Sequence, residues 1–276
     1  MLDKWISHHA EIAEGRENLI IVSHGIDPRI EEIATGCSLI KIPFEPEDGN
    51  FEHKRRELFF GLNRSMIGYY QYVINLDCDE FITIDPRTKM DLFSYLESVK
   101  FSGRILSPAG VEIAHKPSEE PEPLDFDQPI LRQRRHAILN GIYCKPCIFS
   151  DYPRVQAWTS HVVPDEPWHI DPNIVLFHLS AIDRDSSLEI WKNKQKSAEI
   201  FNKTHDRNTV GLWKFGTRRP NRLMKIVEDS EPSEWGNSDF HEYLAKIQND
   251  YQNLGKMPWF EMGGAFLVPD RFIELL

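Results

Sequence analysis

No apolar run in this chain reaches the roughly 18 residues that a membrane-spanning helix needs, so no spanning helix is visible. Cysteine is scarce. Four in 276 residues (Cys37, Cys78, Cys144, Cys147) are too few for a disulfide scaffold at this length. Cys144-Lys-Pro-Cys147 has C-x-x-C spacing, but a structural zinc site needs two such pairs or nearby histidines, so buried thiols are expected. An excess of positive charge is also missing. With 32 Lys and Arg against 43 Asp and Glu the net charge is −11, which argues against a general nucleic-acid binder. An anionic ligand therefore needs local help from a metal or a basic cluster. The first residues, M-L-D-K-W-I-S-H-H, contain neither an apolar signal core nor a small-residue cleavage site. A cytoplasmic location is expected, with peripheral contact with a membrane surface left open. Repeats and coiled-coil heptads are absent too. What the chain has is 41% hydrophobic and 11% aromatic residues, enough for a folded protein with a sizeable core.

One stretch organises the rest. Tyr72–Ile84 reads Y-V-I-N-L-D-C-D-E-F-I-T-I. A run of β-formers stops on three carboxylates in four positions, Asp77, Asp79 and Glu80, before apolar residues resume. Acids are poor strand residues, and like charges this close repel. A divalent cation is the simplest thing to offset that cost. If the strand continues through the acids, Asp77 and Asp79 share a side and Cys78 turns away.

Asp-x-Asp, extended here to D-x-D-E-F, resembles the metal and sugar-nucleotide site of glycosyltransferases with the GT-A fold. The words W-I-S-H-H, I-I-V-S-H-G-I-D, K-R-R-E-L-F-F-G-L-N-R and V-I-N-L-D-C-D-E-F follow the order of family-2-like members. The resemblance covers about the first 90 residues and, less fully, the stretch from His161 to Lys194. It implies a Rossmann-like mixed α/β sheet with helices on both faces, in one continuous domain. Residues 1–100 would form the nucleotide-sugar half, and 101–276 the acceptor half with a helical C-terminal region. The implied cofactor is Mn²⁺ or Mg²⁺ on Asp77, Asp79 and a late histidine, His178, with Asp77 on the metal or the ribose. Ser23, His24 and Asp27 occupy the loop that holds the donor's base and ribose. Lys54, Arg55 and Arg56 cluster at the start of the following helix, where the first turn favours anions; one of them, with Lys54 taken as the candidate, would meet the diphosphate unless the cluster is only a solvated face.

The elements around these motifs are legible. Leu2–Ala13 reads as a helix, with His9 on its buried face four residues after Trp5. Leu19–Val22 and Ser38–Ile42 read as strands, and Asp27-Pro28 opens a helix with Asp as N-cap. Phe51–Gly68 is a helix and Gln71–Leu76 a strand, completing a β-α-β-α-β series that argues for a parallel sheet. Met90–Val99 is a helix and Arg104–Ser107 a strand. Lys116–Gln128, rich in Pro and acids, reads as an exposed, mobile loop. Leu131–Tyr143 carries a second basic cluster, Arg132, Arg134, Arg135 and His136. Cys144–Phe149, Val155–Val163 and Ile174–Leu179 read as strands. Ser186-Ser187-Leu188-Glu189 is a capping box for the next helix, and Asn237 caps Ser238–Leu254. Arg218, Arg219 and Arg222 form a third basic cluster.

The expected reaction is transfer of a sugar to a hydroxyl acceptor, a glycan being one such acceptor, with inversion. A carboxylate in the titratable loop after His161 would remove the acceptor's proton: Asp165 first, then Glu166 and Asp171. Two alternatives stand beside it. A nucleotidyltransferase would have a Gly-rich basic loop where Ser23-His24-Gly25-Ile26-Asp27 stands. An inactive carbohydrate-binding scaffold is disfavoured by retention of all three carboxylates.

Overall fold

The computed structural model describes residues 1–43, 51–99, 105–151, 168–204, 215–254 and 262–276. In chain order these form α1 (Leu2–Ile12), β1 (Ile20–His24), α2 (Pro28–Ile33), β2 (Ser38–Ile42), α3 (Phe51–Met66), β3 (Val73–Ile74), β4 (Glu80–Ile84) and α4 (Leu92–Ser98). There follow β5 (Ile105–Ala114), α5 (Ile130–Gln133), β6 (His136–Asn140), β7 (Ile148–Phe149), β8 (Trp168–Ala181), α6 (Arg184–Thr204), α7 (Arg218–Asp229), α8 (Ser238–Leu254) and β9 (Met262–Leu267). Among the described residues no helix is long and apolar enough to cross a membrane.

The architecture is mixed α/β. β5 is the spine of a seven-stranded sheet. Each of its positions from Ile105 to Ala114 is buried, as its near-continuous apolar sequence demands. β8 runs parallel to β5, and β6 and β7 pair antiparallel with its two ends. β4 adds antiparallel to β8, β3 to β7 and β9 to β6. Alternation along β8 divides the core. Val175, Phe177 and Leu179 enter the cluster built with Phe240, Phe266 and Phe272. Ile174 and Leu176 face the cluster of Ile82, Leu92, Leu96 and Ile148.

One expectation about the sheet fails. The strand–helix alternation predicts a single parallel sheet through the third strand. Instead β1 and β2 form a separate parallel pair, from Ile20↔Ser38 to His24↔Ile42. β3 is cut to two residues and pairs antiparallel with β7, and the Asn75 N–H extends that ladder to the Cys147 carbonyl at 2.9 Å. An apolar run announces a strand without announcing its partner.

Local signals fare better. The Asp27 side chain accepts the Arg29 N–H at 3.0 Å and Pro28 opens α2. Asn237 accepts the Phe240 N–H at 2.9 Å ahead of α8. α6 begins earlier than expected: Asp183, not Ser186, is its cap, accepting the Ser186 N–H at 3.0 Å. The strand expected over Val155–Val163 lies outside the described residues.

The acidic loop is exposed over much of its length but anchored. The Glu120 carboxylate accepts the N–H groups of Lys116 (3.0 Å) and Arg135 (2.8 Å). The buried Arg134 guanidinium donates to the carbonyls of Glu122 (2.8 Å) and Ile182 (2.9 Å). Gln133 donates to the Asp125 carbonyl (2.7 Å) and accepts its N–H (2.8 Å). The second basic cluster is therefore used inside the protein, tying this loop and the C-terminus to α5 and β6.

Candidate functional site

Tertiary pairing puts three titratable side chains in one row. Register sets Glu80 of β4 opposite His178 of β8, and His178 opposite Glu112 of β5. Residues opposed in neighbouring strands share a face. Glu80, His178 and Glu112 are all buried, at 0%, 5% and 0% exposure. Buried charges survive only when paired, and each is. The Lys145 ammonium lies 2.6 Å from Glu80. Glu112 takes the His178 Nδ1–H at 2.7 Å, the Ser180 hydroxyl at 2.7 Å and the Asn140 amide at 3.1 Å, with Arg219 at 3.6 Å. Burial pushes the Glu80 carboxyl up, partly offset by Lys145.

Asp79 joins this row from the turn ahead of β4. Its Oδ2 lies 3.4 Å from His178 Nε2, and its carbonyl accepts the Leu179 N–H at 2.8 Å, so the ladder itself fixes the approach. Burial opposes a charge on His178, but Glu112 and Asp79 on either side raise its pKa to about 9. The same imidazole holds the Asp79 carboxyl below its ordinary range against the effect of burial, with Lys194 adding to it. The Tyr143 ring stacks on His178 at a centroid distance of 3.8 Å. Gly110 makes room for the backbone that carries that ring: a Cβ there would stand 2.2 Å from the Tyr143 carbonyl carbon.

The acids do not share one face of a strand, as alternation would have it. The chain turns at Asp77–Asp79, closed by the Glu80 N–H on the Asp77 carbonyl at 3.0 Å. The Asp77 carboxylate pairs with Arg55 of α3 at 3.0 Å, and the Asp77 N–H donates to Glu80 Oε2 at 2.8 Å. Cys78 is exposed, in keeping with its turning away. Cys144 and Cys147 are buried free thiols, pushed up to about 12 by burial.

At the end of β1, partial burial and the Arg55 charge both lower the His24 pKa. Ser23 is buried and donates to the Gly25 carbonyl at 3.3 Å. Asp27 caps α2 and pairs with Arg29. Lys54 is exposed beside Arg55. No family model, curated protein or solved structure matches this chain.

The proposed bases fall elsewhere. Asp165 and Glu166 lie outside the described residues. Asp171 is buried toward the opposite end of β8, accepting the Tyr95 hydroxyl at 2.9 Å and the Asn173 N–H at 2.8 Å. That corrects its expected place in the site: it anchors a turn. Among the described residues no group of three or more His, Cys, Asp or Glu side chains is gathered to hold an ion. Asp79 and His178 come together; Asp77 sides with Arg55.

Sequence reasoning missed Glu112, Tyr143 and Lys145; of the basic cluster that opens α3, Arg55 is the member that pairs with Asp77. A lone Glu inside the apolar run I-L-S-P-A-G-V-E-I-A was the available signal for Glu112, because an acid in a buried strand must have a partner.

Proposed function

We propose that this chain is a metal-dependent glycosyltransferase of the GT-A type, moving a sugar from a UDP- or GDP-linked donor to a hydroxyl acceptor such as a glycan. The observation that carries this reading is the convergence of Asp79, from the D-x-D-E-F turn, on a buried His178 whose other nitrogen is held by Glu112. A carboxylate oxygen and an imidazole nitrogen facing each other suit Mn²⁺ or Mg²⁺, with remaining ligands from phosphate and water. When bound, such an ion supplies neutralisation of the departing diphosphate.

The chain's own residues do the rest. Glu112 accepts Nδ1–H and so holds the ring with Nε2 toward Asp79; the proton that the two acids favour on Nε2 would leave as a metal bound. Arg55 steadies Asp77, which would meet the metal or the donor's ribose, and its charge also acts on His24. Lys145 keeps Glu80 from adding an unbalanced charge. The acceptor's proton passes to Asp165 or Glu166, since Asp171 is engaged by Tyr95 and Asn173. Inversion at the sugar follows from a single displacement.

Calorimetric titration with UDP and then GDP, with and without Mn²⁺, tests the reading on wild type, Asp79→Ala and His178→Ala. One nucleotide should bind only with metal, and each variant should weaken it by about 10–100-fold. Binding of neither nucleotide to the folded protein rejects the donor site and favours the inactive scaffold.

A further inference from the structure

Two buried N–H donors near the Asp79–His178 pair have no acceptor among the described residues: Trp191 Nε1 and Arg219 Nε. Both side chains are more than nine-tenths buried, Trp191 at 4% and Arg219 at 7% exposure. An unmet buried donor is costly, and native proteins rarely keep one without use. These two lie together, since the Arg219 guanidinium carbon sits 5.6 Å from the Trp191 ring centroid. Lys194 brings its ammonium within 5.0 Å of the same ring, one helical turn along α6.

The neighbouring acceptors are taken. Glu112 serves His178, Ser180 and Asn140, and Asp79 faces His178. Arg219 is oriented by its terminal nitrogen, which donates to the Tyr143 hydroxyl at 3.2 Å and approaches Glu112. Its Nε is left unused. The Arg219 guanidinium rests over the Trp191 ring, but neither side chain offers an oxygen or nitrogen acceptor to the other's N–H. Two N–H groups and an ammonium call for a ligand with several anionic oxygens, and a phosphate presents them.

We propose that Trp191, Arg219 and Lys194 form a phosphate-binding site beside Asp79, taking the diphosphate of a nucleotide. Naming the nucleotide as the source rests on the donor reading above; placing the anion does not. Trp191→Phe is the decisive variant, because it keeps an aromatic ring and removes the N–H. Pyrophosphate is titrated calorimetrically into EDTA-treated protein, with Lys225→Ala on the exposed side of α7 as control. Wild type and the control should bind alike, and Trp191→Phe about tenfold more weakly. Lys194→Ala should weaken binding as well. No binding by wild type, or equal affinity in Trp191→Phe, overturns the proposal.

UDP and GDP with Mn²⁺ separate the two readings. Metal-dependent nucleotide binding with a pyrophosphate affinity that Trp191→Phe leaves unchanged would sink the phosphate site and keep the donor assignment. Pyrophosphate binding that is lost in Trp191→Phe, with neither nucleotide bound, would keep the phosphate site and remove the donor assignment.

Discussion

Gly110 shows how a missing side chain positions an aromatic one. A methyl group at Gly110 would collide with backbone of Tyr143 and Cys144, which cannot swing aside as a flexible side chain could. Gly110→Ala should therefore cost about 1–3 kcal/mol and shift Tyr143 off His178. Denaturant unfolding measures the first effect and the chemical shifts of the His178 ring the second. A variant of wild-type stability with unmoved His178 resonances would contradict the account. Lys145 makes the complementary case for charge. Glu80 Oε1 already has no hydrogen-bond partner among the described residues, and Lys145 is the cation nearest its carboxylate. Lys145→Met strands a buried negative charge and should cost roughly 3–5 kcal/mol, and adding Glu80→Gln should recover part of that loss. Chemical denaturation of the single and double variants decides it, and an additive double variant would refute the coupling.

At the scale of elements, α1 serves as an edge cover. Among the described residues β4 pairs with β8 on one side only, leaving backbone groups that would otherwise invite another strand. Three side chains of α1 meet them. Trp5 Nε1–H donates to the Glu80 carbonyl at 2.9 Å, His8 Nε2 faces the Ile82 carbonyl at 2.7 Å, and His9 Nε2 accepts the Ile82 N–H at 3.4 Å. His9 Nδ1 in turn lies 2.8 Å from the Trp5 carbonyl, so its two nitrogens need one proton between them. Burial, with the neighbouring His8, lowers the His9 pKa to about 3. Below about pH 6.5 the unfolded chain takes up a proton that the native protein refuses, so this contribution is complete above pH 6.5 and is lost as pH falls toward 3. His8, also lowered by burial, acts in the same direction. The thermal midpoint should drop between pH 6.5 and 5, before most carboxylates titrate, and His9→Gln should flatten that slope. An unchanged slope in the variant would exclude His9 as its source.

Across the whole molecule, the last residues strap distant parts together. Arg271 places two nitrogens on the buried Asp85 carboxylate at 2.9 Å each, just past the end of β4. The Leu276 carbonyl accepts the Ile130 N–H at 2.6 Å, and the Leu275 carbonyl lies 3.0 Å from His8 Nδ1. Phe272 drives this docking, fully buried against Phe177 and Trp235. Phe272→Ala should cost about 3–5 kcal/mol and raise hydrogen exchange in α1 and β4 as well as at the C-terminus. Exchange that rises only near residue 272 would show that the strap carries no such coupling.

The sequence by itself determined what is local. The bounds of β2 and α8, the caps Asp27 and Asn237, and the burial of His9 were legible because capping and periodicity act within a few residues. The D-x-D-E-F motif and His178 stood out because charge and imidazole are rare in apolar strands, though the turn at the motif did not. Tertiary structure decided what those residues meet. Pairing between segments 66 or more residues apart set Glu112 against His178 and sent β3 to β7. The turn at Asp77–Asp79 gave one acid to Arg55 and the other to His178, a division that spacing alone could not foretell. Composition likewise suggested a mobile acidic loop, whereas a buried arginine and a glutamine anchor it through contacts that no local pattern encodes. Short-range propensity acts along the chain; partner choice depends on where other segments pack.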